Sequence, residues 1–100
     1  QIALDRDGTL VGSEDIEAQT AQVYRNIQSI LHELGASLDD VVKMTTYLTR
    51  RDDLEGFRLA RNRALKAPFP PNTLLFVSGL ASPAYLVEIE AVAIAGPDRA

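Results

Sequence analysis

The strand-like run Leu86-Val87-Glu88-Ile89-Glu90-Ala91-Val92-Ala93-Ile94 sets two carboxylates into the most apolar stretch of the chain. Residues two apart in an extended strand share a face. Glu88 and Glu90 therefore project together, while Val87, Ile89, Ala91 and Ala93 line the other side. An ionised carboxylate in such a place must meet water, a cation, a hydrogen-bond donor or a cleft. In a cleft it can orient water and take up its proton as a general base; on an open sheet face it is simply solvated.

Other groups with chemical potential are fewer. Leu4-Asp5-Arg6-Asp7-Gly8-Thr9-Leu10 resembles the first motif of haloacid dehalogenase phosphatases, in which one Asp is a nucleophile and the next an acid/base beside Mg²⁺. That chemistry needs a parallel sheet ahead of the motif, then a lysine and an acidic pair. Only four residues precede Asp5, and Asp39, Asp40 and Lys43 arrive in the wrong order, so an Asp/Gly-rich turn is the simpler reading. Six of the ten basic residues (Arg50, Arg51, Arg58, Arg61, Arg63 and Lys66) crowd a short segment, as an RNA-binding strip would require. The aromatics that stack unpaired bases are not interleaved there, and Asp52, Asp53 and Glu55 break the run, which favours a solvated helix face with local ion pairs. The lone histidine, His32, lies off the apolar stripe of its helix and reads as solvated, not as a ligand or base.

Composition excludes further classes. The net charge of −4 opposes general nucleic-acid binding by phosphate neutralisation. Without cysteine the chain has no disulfide, thiol nucleophile or thiolate metal site. No apolar run reaches the roughly 20 residues of a membrane span, and no basic-then-apolar leader is present, so a cytoplasmic protein is expected. One hundred residues suffice for a single domain, expected over 1–100.

The elements that must hold the glutamates follow from periodicity. Residues 1–4 and 9–11 flank a turn at Asp5–Gly8. Ser13 can cap a helix whose stripe is Ile16, Thr20, Val23, Ile27, Ile30, Leu31 and Leu34, stopped by Gly35 in a left-handed conformation. Ser37-Leu38-Asp39-Asp40 reads as a short capped turn before a strand over 41–49, with Val42, Met44, Thr46 and Leu48 on one face. Asp52 or Asp53 can cap a second helix over 54–66, with Gly56 weakening its first turn and Pro68, Pro70 and Pro71 ending it. Strands over 72–77 and 86–94 enclose a loop over 78–84. This order predicts an α+β fold, both helices on one sheet face and the other face left for subunit contacts and a ligand cleft.

Several separated strings in this order carry a family resemblance. Gly35 to Leu48, Phe69-Pro70-Pro71-Asn72-Thr73 and Val87-Glu88-Ile89-Glu90-Ala91-Val92-Ala93 resemble the Rid family of reactive intermediate (enamine/imine) deaminases. Gln1-Ile2-Ala3-Leu4, Asp7-Gly8 and Glu17-Ala18-Gln19-Thr20 fit the same family's early segment. The resemblance implies a chorismate-mutase-like α+β fold assembled as a homotrimer, small-molecule clefts between subunits, and neither metal nor organic cofactor. It implies hydrolysis of 2-enamines or 2-imines to 2-keto acids and ammonia. In that scheme an arginine after Phe-Pro-x grips the substrate carboxylate, and the first glutamate of Glu-x-Glu positions water. Glu88 is that glutamate, the catalytic candidate; Asn72, Arg58 and Gln1 are the substrate-binding candidates.

The chain departs from the pattern where it matters. Asn72 stands where the arginine is expected, removing a bidentate contact of several kcal/mol by order of magnitude. Arg58 stands where the family has an asparagine. The family's N-terminal segment, with a tyrosine and a serine-glycine pair that contact substrate, is expected ahead of Gln1 and is not among these residues. The alternative to an enamine/imine deaminase is therefore a non-catalytic ligand-binding or interaction trimer, followed by a ribonuclease or translation inhibitor, and last a Mg²⁺-dependent phosphatase.

Overall fold

The computed structural model describes residues 1–95. Helix α1 (Ile16–Glu33) is followed by a 3₁₀ turn at Leu38–Asp40 and strand β1 (Val41–Leu48). A second 3₁₀ turn, Arg51–Asp53, leads into helix α2 (Leu54–Ala64), and strands β2 (Asn72–Phe76) and β3 (Val87–Ala93) complete the fold. The sheet is mixed, in the order β2-β1-β3. The β1–β2 pair is parallel and the β1–β3 pair antiparallel. No helix among the described residues is long and apolar enough to cross a membrane.

Both helices serve one sheet face. Val23, Ile27 and Leu31 of α1 and Phe57 of α2 share a core with Met44, Leu48, Val87 and Ile89. Register gives that inner face its rows: Leu74, Thr46 and Ile89 stand side by side, as do Phe76, Leu48 and Val87. The outer face carries Leu75, Tyr47 and Glu88 in one row and Thr73, Thr45 and Glu90 in the next.

Several local expectations hold. Gly35 ends α1 with φ +74°, and Ser37 and Asp40 form a reciprocal capping box. At the amino end, Leu4 and Leu10 pair in an isolated antiparallel bridge, and the Asp5 carboxylate accepts the Asp7 and Thr9 N–H groups at 2.9 and 3.0 Å. The phosphatase-like string is thus an Asx-type turn whose carboxylate holds its own backbone.

Others are corrected. Asp15, not Ser13, caps α1, accepting from Ala18 N–H at 3.1 Å. Ile30 and Leu34 are exposed: in the last turn of α1 Leu31 alone of the predicted stripe faces the core, Ile30 falls to its flank, and Leu34 is the C-cap residue just past the helix. Val42 is exposed because the β1–β3 register shifts between Val41 and Lys43, which turns Val42 away from the inner face. Asp53 occupies the α2 N-cap position without capping it; its carboxylate takes a two-point hydrogen bond from Arg50 at 2.8 and 3.2 Å. Asp52 lies inside the 3₁₀ turn, and α2 ends at Ala64, before Lys66.

Candidate functional site

Glu88 is half-buried on the outer face, opposite Tyr47 on β1, and its carboxylate has no hydrogen-bond or ion-pair partner among the described residues. Glu90 shares that face and is more exposed, while Val87 and Ile89 are fully buried on the other side. The strand thus divides its apolar and acidic residues as its sequence predicts. The surface around the glutamates is mixed, with Val42, Leu75 and Val92 each more than two-fifths exposed.

Asn72 belongs to the other side. It is level with Met44 at the start of β2, and its Oδ1 accepts a 2.9 Å hydrogen bond from the inner-face Thr46 hydroxyl. Glu88 and Asn72 therefore lie two strand spacings apart, roughly 10 Å, and three residues apart along β1, again roughly 10 Å, on opposite faces. A single chain does not bring them together.

Gln1 is close to Glu88 through the backbone. Its nitrogen donates to Ile89 O at 2.7 Å and its carbonyl accepts from Ile89 N–H at 3.0 Å, so it sits beside β3 at the sheet edge. The side chain of Asn26 secures this segment, donating to Ile2 O and Leu4 O at 3.0 and 2.9 Å. Arg58 is on the exposed side of α2 and has no partner among the described residues. Its neighbours are engaged: Arg50 with Asp53 and Glu14, Arg63 with Glu17, Arg51 over the Phe76 ring and Arg61 over the Phe69 ring. Hydrogen bonds to Asp53 and Glu14 push the Arg50 guanidinium further above its already high range.

Two positioning residues escaped the sequence reading. Gln19 is fully buried and joins three segments: its Nε2 donates to Gly12 O and Ala84 O at 3.1 and 3.0 Å, and its Oε1 accepts Leu86 N–H at 2.9 Å. It thereby anchors the strand entry two residues before Glu88. The available signal was a glutamine beside Thr20 within the apolar periodicity of α1. Arg61 was read only as part of a charged helix face; its partner ring, Phe69, lies across a proline-rich turn that hides the contact from local spacing.

A surface cleft of about 540 Å³ is lined by Ser37, Asp39, Leu65, Lys66 and Pro70 among others and touches neither Glu88 nor Asn72. The carboxylate that could orient water thus faces an open sheet surface instead of this cleft.

The sequence family described as Endoribonuclease L-PSP matches residues 1–95. A RutC family protein of Pyrococcus abyssi is 37% identical over 93 residues, covering 93% of this chain and 72% of that protein. The crystal structure of RidA from the Antarctic bacterium Psychrobacter superposes with a TM-score of 0.85 at 32% identity, covering 94% of this chain and 76% of that one. A Rid-family protein of Yersinia pestis superposes with the same TM-score at 36% identity, covering 93% and 74%. The match along the described chain, in sequence and in fold together, makes this protein a member of the Rid family.

Proposed function

We propose that the chain forms a cytoplasmic homotrimer that binds a small metabolite in clefts between protomers and hydrolyses a reactive enamine or imine to a carbonyl compound and ammonia. Glu88 is the water-positioning base. It takes a proton from water as the oxygen adds to the imine carbon and hands that proton to the imine nitrogen, which restores the carboxylate; the hydroxyl proton of the adduct then follows to the nitrogen. Collapse of the resulting amino alcohol forms the C=O bond and expels ammonia. The observation that supports this reading is the half-buried, unpartnered Glu88 on the sheet face away from the helices, amid exposed Val42, Leu75 and Val92. Covering that face with a second protomer would dry the carboxylate and enclose a ligand beside Tyr47. It would also let Glu88 of one protomer meet Asn72 of another, which one protomer alone does not do.

A direct test supplies freshly generated 2-aminoacrylate or 2-iminobutyrate and measures ammonia release beyond the spontaneous rate, with oligomeric state measured by sedimentation. Glu88→Gln should lower the catalysed rate by roughly 100-fold or more, the scale of a lost general base, with assembly intact. A monomer, or equal rates in the two proteins, would overturn the proposal. A second reading, a binding trimer without catalysis, is favoured by Asn72 at the position of the family's arginine. It predicts no ammonia release from either protein and retained ligand binding.

A further inference from the structure

Between α1 and α2 lies a groove of about 310 Å³. That is the lower end of the roughly 300–1,000 Å³ found for small-molecule sites. On α1 it is lined by Ala21, Tyr24, Arg25 and Gln28, spaced to share one helix face, and on α2 by Ala60 and Ala64, one turn apart. The alanines of both helices make its walls apolar and too short to fill the gap. Because both helices cover the inner face of the sheet, the groove is remote from Glu88 on the outer face.

Its floor holds an unused donor. The Tyr24 ring is packed in the core and the residue is only 2% exposed, yet its hydroxyl has no hydrogen-bond partner among the described residues. Among those residues the fully enclosed side-chain polar atom without a partner is the Thr20 hydroxyl. The Tyr24 hydroxyl is not enclosed in that way, so the small exposed part of the residue includes this oxygen, which opens into the groove that Tyr24 lines. Burial pushes the phenol up to about 12 against a smaller pull from the Arg61 charge, so at neutral pH the group is protonated and donates.

The charges around this donor do not cancel. Arg63 donates to Glu17 at 2.8 Å, which closes that pair. Arg25 has a neutral partner instead: its Nε and Nη2 donate to Gln22 Oε1 at 3.2 and 2.9 Å, and Gln22 is itself fixed by donating to Asn26 Oδ1 at 2.8 Å. Arg61, whose charge reaches the Tyr24 phenol, donates to Asn62 Oδ1 at 3.2 and 3.1 Å and stacks on Phe69. Two guanidinium groups without a carboxylate thus flank a hydroxyl donor and the unpartnered Gln28 amide. A phosphate monoester matches them, with a charge of about −1.5 to −2 at neutral pH and three strong acceptor oxygens. A single carboxylate would leave one guanidinium unmatched.

We propose that the α1–α2 groove binds a small phosphate monoester, whose phosphoryl group accepts from the Tyr24 hydroxyl and the Arg25 guanidinium while its organic body rests on Ala21, Ala60 and Ala64. The site is separate from the Glu88 face and does not depend on hydrolysis there.

The test titrates the full chain by calorimetry with phenyl phosphate, inorganic phosphate, benzoate and a tyrosine-phosphorylated peptide, and locates phenyl phosphate by amide chemical shifts. Phenyl phosphate should bind roughly tenfold or more tighter than inorganic phosphate or benzoate, and should shift the amides of Ala21, Ala60 and Ala64. Tyr24→Phe keeps the buried ring and should weaken that binding about fivefold. Arg25→Gln, at an exposed position, should weaken it roughly tenfold or more. Arg6→Gln removes an exposed charge outside the groove and should bind as the parent does, with melting curves confirming that each variant is folded. No binding by the parent, unchanged binding in Arg25→Gln, or inorganic phosphate or benzoate as tight as phenyl phosphate would overturn the proposal. So would chemical shifts confined to residues around Glu88. A phosphotyrosine peptide that binds more tightly than phenyl phosphate through Tyr24 and Arg25 would overturn the small-ligand assignment and give the groove to a protein partner.

Discussion

The Thr46 hydroxyl and the Asn72 side chain form a 2.9 Å hydrogen bond between a fully buried residue of β1 and an exposed one at the start of β2. The hydroxyl donates, so the orientation of the amide is set from inside the sheet and its Nδ2 end is left outward.

Replacing Thr46 by Val removes that control while nearly preserving volume. Because Asn72 is exposed and can turn to water, the stability cost should be modest, about 1 kcal/mol. The melting temperature should fall by only a few degrees. A loss of about 3 kcal/mol or more in urea unfolding would show that the hydrogen bond holds the start of β2 against β1 and does not merely orient an exposed amide.

Gln19 is a stricter case. Its amide is fully buried and joins the Gly12 turn, Ala84 and Leu86 through three hydrogen bonds. Gln19→Ala leaves those backbone groups without their partner and opens a cavity, so a loss of about 3–5 kcal/mol is expected in urea unfolding. Gln19→Glu retains an acceptor for Leu86 N–H but sets a carboxylate against the Gly12 and Ala84 carbonyls, and should also destabilise strongly. A loss under 1 kcal/mol in both variants would mean that the loop before β3 is held by other contacts.

Gly56 shows a different kind of close fit. A Cβ there would lie 2.6 Å from Ile16 Cγ2. Ile16 is β-branched and cannot swing aside without leaving its preferred rotamer. Gly56→Ala should therefore destabilise by about 1–3 kcal/mol, although alanine favours a helix by about 1 kcal/mol over glycine. Pairing it with Ile16→Ala should give a clear favourable coupling in a double-mutant cycle, because the second change removes the clashing methyl. Additive effects would separate the two residues.

These cases show what the sequence made legible. The division of β3 into apolar and acidic faces follows from alternation alone, and the α1 stripe through Val23, Ile27 and Leu31 follows from helical period. The resemblance supplied the fold before any geometry. What stayed hidden depends on contacts distant in sequence. Gly56 looked like a weak point in a helix because Ile16 is forty residues away; Val42 looked like core because a bulge has no strong sequence sign. Asp53 looked like a cap because the Arg50 fork that claims its carboxylate competes with the helix for the same oxygens. The relation of Glu88 to Asn72 was hidden most deeply, since strand order and facing are settled only when β1 takes the central place between β2 and β3.

Tyr24 supplies a prediction in pH. It is almost fully buried on α1, and burial pushes its phenol up to about 12, against a smaller opposing pull from Arg61. An unfolded tyrosine ionises near 10. Between those values the unfolded chain gives up its Tyr24 proton while the folded chain keeps it, so stability falls as pH rises. The contribution is fully present below pH 10 and is lost as pH climbs towards 12; two units correspond to roughly 3 kcal/mol at most. Urea unfolding followed from pH 8 to 11.5 should therefore show a steep alkaline decline. Tyr24→Phe has no proton to lose and should decline less steeply over the same interval, so that the gap between the two curves changes with pH. Parallel curves would show that the Tyr24 phenol ionises alike in both states and that burial does not hold its proton.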